Sequence, residues 1–580
     1  VKQVIADHGV DPDDVLVISF SRLSAQDLRE RVKEIERVPR ASTLHSLCLS
    51  FLLSEDNHDI RKRIETIVID FEKQIMLSDL KILFPQTDKR ELNRMLDKFS
   101  AGWAVHPHDE VFNEDDTQKN FKSAVLNWFD EHEAAMMEEI VYNAVDLAKK
   151  VSTDFIEKPQ YIFVDEFQDL NRLEQEFVNL LGANSKLVLT VGDPDQSIYS
   201  FKYAHPEGIR SLADDESVED HTLEYSGRCG KKIIGIGNQL LKQADPNRTA
   251  LLKPLPDAED GEAALVQKNK QDDEFAFVLN DIVKKVNNGV DPKEIIVLVP
   301  RKKLGLDFVK YAREQQLPEN LSFQFVVKGK FSEAEQEKIL LLGIIANPKS
   351  VLRVRSYVGL KDRNNYAKEF AELKQKYGNI REAIQNAKPE DFDGRQRRLR
   401  AVCALLQEVR EFIERHKEAE DVDAVLDEIF PADNEEWADI RNIFAELREE
   451  DDTIQTLYSK FLDHSRTLEA RGSVVRVMSL IASKGLDAEH VYIMGCNDGN
   501  IPGNNRSVHL TDHEHKQEQR RLLFVGVTRA KKSLTVTWSR NILFRQSRGH
   551  YTGSVRTITI YGERYSQVGL SEFLKSIDFS

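Results

Sequence analysis

Two stretches of this chain carry residue types and spacings that could do chemistry. The first is Tyr161-Ile-Phe-Val-Asp165-Glu166-Phe167-Gln168-Asp169, a short apolar run that stops at two adjacent carboxylates. An aspartate at a strand tip can hold the hydrated shell of Mg2+. The glutamate beside it can orient or deprotonate a water that attacks phosphate. Acidic pairs also commonly cap helices, and Asp165-Glu166 alone would carry that plainer reading. The second stretch changes the weighing. Leu187 to Val191 runs into Gly192-Asp193-Pro194-Asp195-Gln196-Ser197-Ile198-Tyr199-Ser200-Phe201-Lys202. An acid follows the apolar run, then an amide at Gln196 placed to sense a γ-phosphate, then Tyr199 and Phe201 beside Lys202. Aromatics next to a cation suit single-stranded nucleic acid, whose bases stack and whose phosphates need neutralising. The competing reading is a hairpin core, because residues i and i+2 of a strand share a face.

The elements that must position these residues are short apolar runs rich in β-branched side chains. They are Val15 to Phe20, Tyr161 to Val164, Leu187 to Val191, Ile295 to Val299, Val491 to Met494 and Leu534 to Trp538. Runs without alternation suit strands buried on both faces of a parallel sheet. Helical segments between them argue for α/β units, whose ligands sit at the carboxyl ends of the strands. Phe51 to Val151 and about Val351 to Ala470 lack such runs and read as helical. In the second, Val402, Leu405, Leu406, Val409, Phe412 and Ile413 form an apolar stripe.

Length and composition set the frame. A chain of 580 residues is too long for one core, and roughly three or four domains are expected. A net charge of −17 excludes a small basic nucleic-acid binder. It leaves room for a large protein with a local basic track, since only charge near the groove attracts phosphate. Cys48, Cys229, Cys403 and Cys496 lie far apart and form no metal or disulfide spacing. No apolar run approaches the ~20 residues needed to span a bilayer, and Val1 to Val10 does not read as a signal peptide. A cytoplasmic protein with no membrane partner is expected. His509, His513 and His515 read as an exposed connector rather than a metal site.

Taken together, these motifs resemble those of the UvrD/Rep/PcrA-like superfamily 1 DNA helicases. Val164 to Asp169 resembles motif II, and Val191 to Tyr199 motif III. Ser19-Phe20-Ser21 through Arg31-Val32 resembles motif Ia, and Thr43 to Cys48 the motif after it. Leu223 to Ile234, with Arg228, resembles motif IV. Phe331 to Pro348 is similar to the segment before the second insertion. Val475 to Asp487, with Ser483-Lys484-Gly485-Leu486, resembles motif V, and Gln519 to Ala530 motif VI. Several motifs in one order are far more specific than any single one.

The resemblance implies roles. Asp165 would bind Mg2+ and Glu166 would act on the attacking water. Gln196 would couple the γ-phosphate of ATP to the DNA site. Arg228 and Arg529 would reach the phosphates as arginine fingers do. Gly485 and Asp487 would lie at the nucleotide. Ser21, His45, Tyr199, Phe201, Lys202 and Ser479 would contact single-stranded DNA. The implied fold is two RecA-like P-loop NTPase-type α/β motor domains, each with a mainly helical insertion, and ATP between them. The first would span 1–51 and 151–204 around an insertion at 52–150. The second would span 205–350 and 471–580 around an insertion at 351–470. The implied activity is ATP-dependent 3′-5′ translocation on single strands and unwinding at single-strand/duplex junctions, in repair or replication.

Some positions depart from the family pattern. Gly227 stands where a tyrosine usually stacks on adenine, and Ile481 where motif V usually has a histidine. Phe201 replaces a usual tryptophan, Leu23 a lysine and Ala488 a phenylalanine. No Gly-x-x-x-x-Gly-Lys-Ser/Thr occurs in the 580 residues. In the family that loop precedes motif Ia by about one helix and cradles the β- and γ-phosphates. We therefore expect an N-terminally truncated motor, deficient in ATP hydrolysis as it stands. The alternative is a non-hydrolysing DNA-binding or scaffold protein on a degenerate helicase fold.

Overall fold

The computed structural model describes residues 1, 4–5, 9–19, 39–54, 63–64, 66–105, 115–150, 159–248, 250–326, 331–419, 421–449, 452–464, 474–505, 507, 510–547, 555–560 and 562–580. Residues 1–165, 170–191 and 329–467 form one compact unit, and 166–169, 192–328 and 468–580 form another.

Among the described residues the first unit holds four parallel strands, β1 (Val15–Ser19), β2 (Arg40–Thr43), β3 (Tyr161–Val164) and β4 (Leu187–Thr190), in the order β2-β1-β3-β4. Every residue of β1 is buried, as an unalternating apolar run predicts. β4 breaks that expectation. Leu187, Val188 and Leu189 are 37–40% exposed, although the run reads as a strand covered on both faces. Among the described residues β4 is the edge strand, paired only with β3, so one side of its pleat has no neighbouring strand. The helix Arg172–Gly182 leads from β3 to β4. A capping box starts it, the Asn171 side chain accepting from the Glu174 N–H and the Glu174 carboxylate from the Asn171 N–H.

Among the described residues, the two stretches that lack strand-like runs are mainly helical. Glu72–Leu83, Lys89–Val105, Asp116–His132 and Met137–Lys150 surround a core of Phe99, Trp103, Phe121, Trp128 and Phe129. Arg397–Arg415 buries Val402, Leu406, Val409 and Phe412 on one face, the stripe seen in the sequence. The two helical regions meet through charges. Arg353, on Val351–Leu360, pairs with the fully buried Glu72 and donates to the Ile67 carbonyl at 3.0 Å. Arg355, itself fully buried, pairs with Asp79 at 2.5 Å and lies 4.0 Å over the Phe370 ring.

The second unit includes a small pair, β5 (Tyr225–Ser226) and β6 (Lys253–Pro254). Its main sheet has β7 (Glu262–Lys270), β8 (Ile295–Val299), β9 (Phe323–Phe325), β10 (Val475–Ser479), β11 (Ala488–Ile493), β12 (Ala530–Leu543), β13 (Thr557–Ile560) and β14 (Glu563–Gln567). The order is β13-β14-β12-β11-β8-β10-β9, with β7 beside β12. β8 shows why an unalternating run belongs in such a sheet. Ile296 and Leu298 join one core with Ile233, Ile236 and Leu523. Ile295, Val297 and Val299 join another with Phe275, Ile282 and Phe308 on the opposite face. Among the described residues no helix is long and apolar enough to cross a membrane.

Candidate functional site

The carboxylate turn sits after β3. The Asp165 N–H donates to the Ile18 carbonyl at 2.9 Å, which fixes the backbone at the strand tip. Glu166 has φ +53, a left-handed conformation costly for a residue with a Cβ. Phe167–Asp169 then makes one tight helical turn.

Gln168 ties this turn to the segment after β4. Its amide N–H donates to Glu166 Oε2 at 2.5 Å, and its carbonyl oxygen accepts from the Asp193 N–H at 3.0 Å. Gly192 permits the approach, because a Cβ there would meet Gln168 Oε1 at 2.2 Å. Asp193 caps the Pro194–Gln196 turn by accepting from the Asp195 N–H at 2.9 Å. Gln196 Nε2 donates to Asp193 Oδ2 at 2.8 Å, which leaves its carbonyl oxygen for a cation.

Three cations of the same unit grip these turns. Arg529 Nη2 donates to Gln196 Oε1 at 3.1 Å and Nη1 to the Leu486 carbonyl at 3.2 Å. Arg521 Nε donates to the Ser197 carbonyl at 2.8 Å. Lys484 Nζ lies 2.5 Å from Asp169 Oδ2, 2.7 Å from the Gln196 carbonyl and 3.4 Å from Glu166 Oε2. Burial pushes Asp169 up to about 7 against the pull of Lys484. Burial, with Arg228 nearby, lowers Arg529 to about 10, so its guanidinium stays charged at neutral pH. Arg228 pairs with Asp487 at 3.3 Å, and Lys531 holds the same carboxylate at 2.6 Å. Gly485, at φ +83, supplies the left-handed turn between Lys484 and Asp487.

Thus Glu166, Gln196, Arg529, Arg228, Asp487 and Gly485 fall in one unit, linked through contacts with Lys484, Gln168 and Thr528. Nothing in the residue types of Lys484, Gln168 or Arg521 alone sets them apart. Each lies inside a recognised motif, but only the fold shows what it touches.

The aromatic segment does not form a strand. Ser200–Lys202 is a tight helical turn, and the two rings differ in access: Tyr199 is 8% exposed and Phe201 55%. They meet edge-on at 5.7 Å between centroids. Lys202 Nζ lies 5.7 Å and Lys484 Nζ 5.2 Å from the Tyr199 ring. Ser479 ends β10, its Oγ accepting from the Ala482 N–H at 3.3 Å. In the other unit His45 Nε2 lies 3.4 Å from Glu174 Oε1. Ser21 and His509 lie outside the described residues. His515 Nε2 contacts the Gly503 carbonyl at 3.0 Å.

The charged groups suit a magnesium nucleotide. A strand-tip carboxylate is the kind of ligand Mg2+ takes together with phosphate oxygens, and the buried Arg529 with the more exposed Arg228 beside it suits phosphoryl charge. The Gly-x-x-x-x-Gly-Lys-Ser/Thr motif, whose backbone N–H groups and lysine would complete a phosphate cradle, does not occur in the 580-residue sequence.

Residues 1–217 match the family model of the UvrD/REP helicase N-terminal domain, and residues 354–541 that of the UvrD-like helicase C-terminal domain. The chain is similar to the ATP-dependent DNA helicase PcrA of Staphylococcus epidermidis, with 23% identity over 589 residues, covering 93% of this chain and 78% of that protein. It is similar to PcrA of Staphylococcus aureus strain MRSA252 at 24% identity over 587 residues, with the same coverage of both chains.

Proposed function

Because this chain belongs to the UvrD/PcrA-like superfamily 1 DNA helicases, we propose that it is the motor of an ATP-dependent 3′-5′ helicase. It tracks along single-stranded DNA and opens duplex at junctions, in repair or replication. The observation that carries this reading is the meeting of Arg529 and Lys484 on Gln196, with Glu166 on the same cluster. Such a cluster joins the groups that would handle phosphate to the segment that would handle DNA.

Each residue has a part. Asp165 would hold magnesium, and Glu166 would orient the attacking water and take its proton. Arg529 and Arg228 neutralise charge on the transferred phosphoryl group. Magnesium ATP, when bound, supplies that group and the free energy of the step. Gly485 and Asp487 lie along the nucleotide. Phe201, Lys202, Tyr199, Ser479, His45 and Ser21 form the single-strand track. The proposed motor domains are 1–51 with 151–204 and 205–350 with 471–580, with insertions at 52–150 and 351–470.

A polypeptide of only these 580 residues should hydrolyse ATP negligibly, since half of the phosphate cradle is not in it. Joining a phosphate-loop segment ahead of Val1 should bring turnover that single-stranded DNA stimulates. In that extended protein Glu166→Gln should keep nucleotide binding and lose hydrolysis by roughly 10²-fold or more, the share usual for a positioned base. Robust ATPase activity from the 580 residues alone would overturn the deficiency. An extended protein with no DNA-stimulated turnover would favour the second reading, a non-hydrolysing DNA-binding protein, which the missing loop motif supports.

A further inference from the structure

Lys484 stands at the centre of the cation–carboxylate cluster with no role assigned to it. Its side chain is only 5% exposed, and its ammonium group touches two segments at once. On one side are Asp169 at 2.5 Å and Glu166 at 3.4 Å, both on the carboxylate turn. On the other are the Gln196 carbonyl at 2.7 Å and the Tyr199 ring at 5.2 Å, both on the segment that ends in Phe201 and Lys202. Among the described residues the other oxygen of Asp169 is buried with no hydrogen-bond partner, so this carboxylate draws most of its compensation from Lys484, with a smaller share from Lys202. Tyr199 in turn supports Phe201 edge-on, and Phe201 presents the exposed ring. A buried cation at a shared contact fixes the relative placement of everything it touches, because moving any partner leaves charge uncompensated in a low dielectric.

We infer that Lys484 is a positioning residue for single-stranded DNA: it holds the Gln196–Lys202 segment against the Glu166–Asp169 turn, and so sets the ring of Phe201 for stacking without itself touching DNA. This rests on the helicase reading of the site. It makes one cation the link between the groups that act on phosphate and the ring that meets a base.

The test is salt-titrated fluorescence anisotropy with labelled oligo(dT) on the 580-residue chain, with a melting temperature for each variant. Lys484→Met alone strands the buried Asp169 carboxylate and endangers the fold. The pair Asp169→Asn with Lys484→Met removes both charges, so it should fold with a melting temperature near that of the wild type. It should nevertheless bind roughly tenfold more weakly, the scale of one lost base stack. Its salt slope should be unchanged, since no phosphate contact is removed. Lys484→Arg, which keeps the cation, should recover part of the affinity. A folded double variant that binds as the wild type does would make Lys484 a structural residue only and overturn the inference. A reduced salt slope would overturn it too, by showing a direct phosphate contact. A wild-type chain that does not bind oligo(dT) would instead overturn the helicase reading and this inference with it.

Discussion

At the scale of single residues, the site depends on how few groups must carry how much charge. Arg529 is 2% exposed and donates through all three guanidinium nitrogens, to Val525, Leu486, Gln196 and Thr528. Burial lowers it only to about 10, so it is a permanent cation at neutral pH. Arg529→Ala in the phosphate-loop-extended protein should therefore cut kcat by roughly 10³-fold, the scale of an arginine finger, with a smaller change in ATP affinity. Rapid-quench hydrolysis beside nucleotide titration separates the two, and an unchanged kcat would remove Arg529 from the reaction. The motif residues were legible in the sequence because their order is specific. What they touch was not. Lys484 meets Asp169 across 315 positions of chain, and no local periodicity encodes such a contact. Tyr199 and Phe201 read as equivalent rings, yet a single tight turn buries one and exposes the other.

At the scale of elements, local patterning told strand from helix well where the environment was uniform. β8 is apolar and buried throughout, and β1 is buried throughout with only its last residue, Ser19, polar. β7 escaped notice because its residues alternate between half-buried and exposed along most of its length, and its charged positions hid it among polar segments. The unalternating run of β4 suits a covered strand, yet the strand is open, since burial depends on neighbours that a strand's own sequence does not name. The ion pairs between the helical regions were equally unreadable, as Glu72 and Arg353 are 281 positions apart. They carry a prediction. Arg353→Met leaves the Glu72 carboxylate buried without its cation and should destabilise the unit by about 3–5 kcal/mol. Glu72→Leu together with Arg353→Met should restore most of that loss, because removing both charges leaves none to desolvate. Urea denaturation of the two single variants and the double variant measures the coupling. Equal and additive losses would show that the pair is not an energetic unit.

At the scale of the whole molecule, a net charge of −17 means that DNA affinity has to come from a local track. Each phosphate neutralised on a single strand releases condensed counterions, so the logarithm of the affinity should fall linearly with that of the salt concentration, by about 0.7 per contact. Lys202→Ala removes at most one such contact and should flatten the slope by less than one unit. Phe201, 55% exposed, carries no charge. Phe201→Ala should weaken binding by roughly 1–3 kcal/mol at every salt concentration and leave the slope alone. Tyr199 is packed beneath it, so Tyr199→Ala should lower the melting temperature before it changes the slope. These three variants separate phosphate contact, base stacking and support of the stack in one experiment, salt-titrated anisotropy beside thermal melting. If Phe201→Ala stays folded and binds as the wild type does, the exposed ring is not a stacking platform. The acidic chain would then have to meet DNA through another surface.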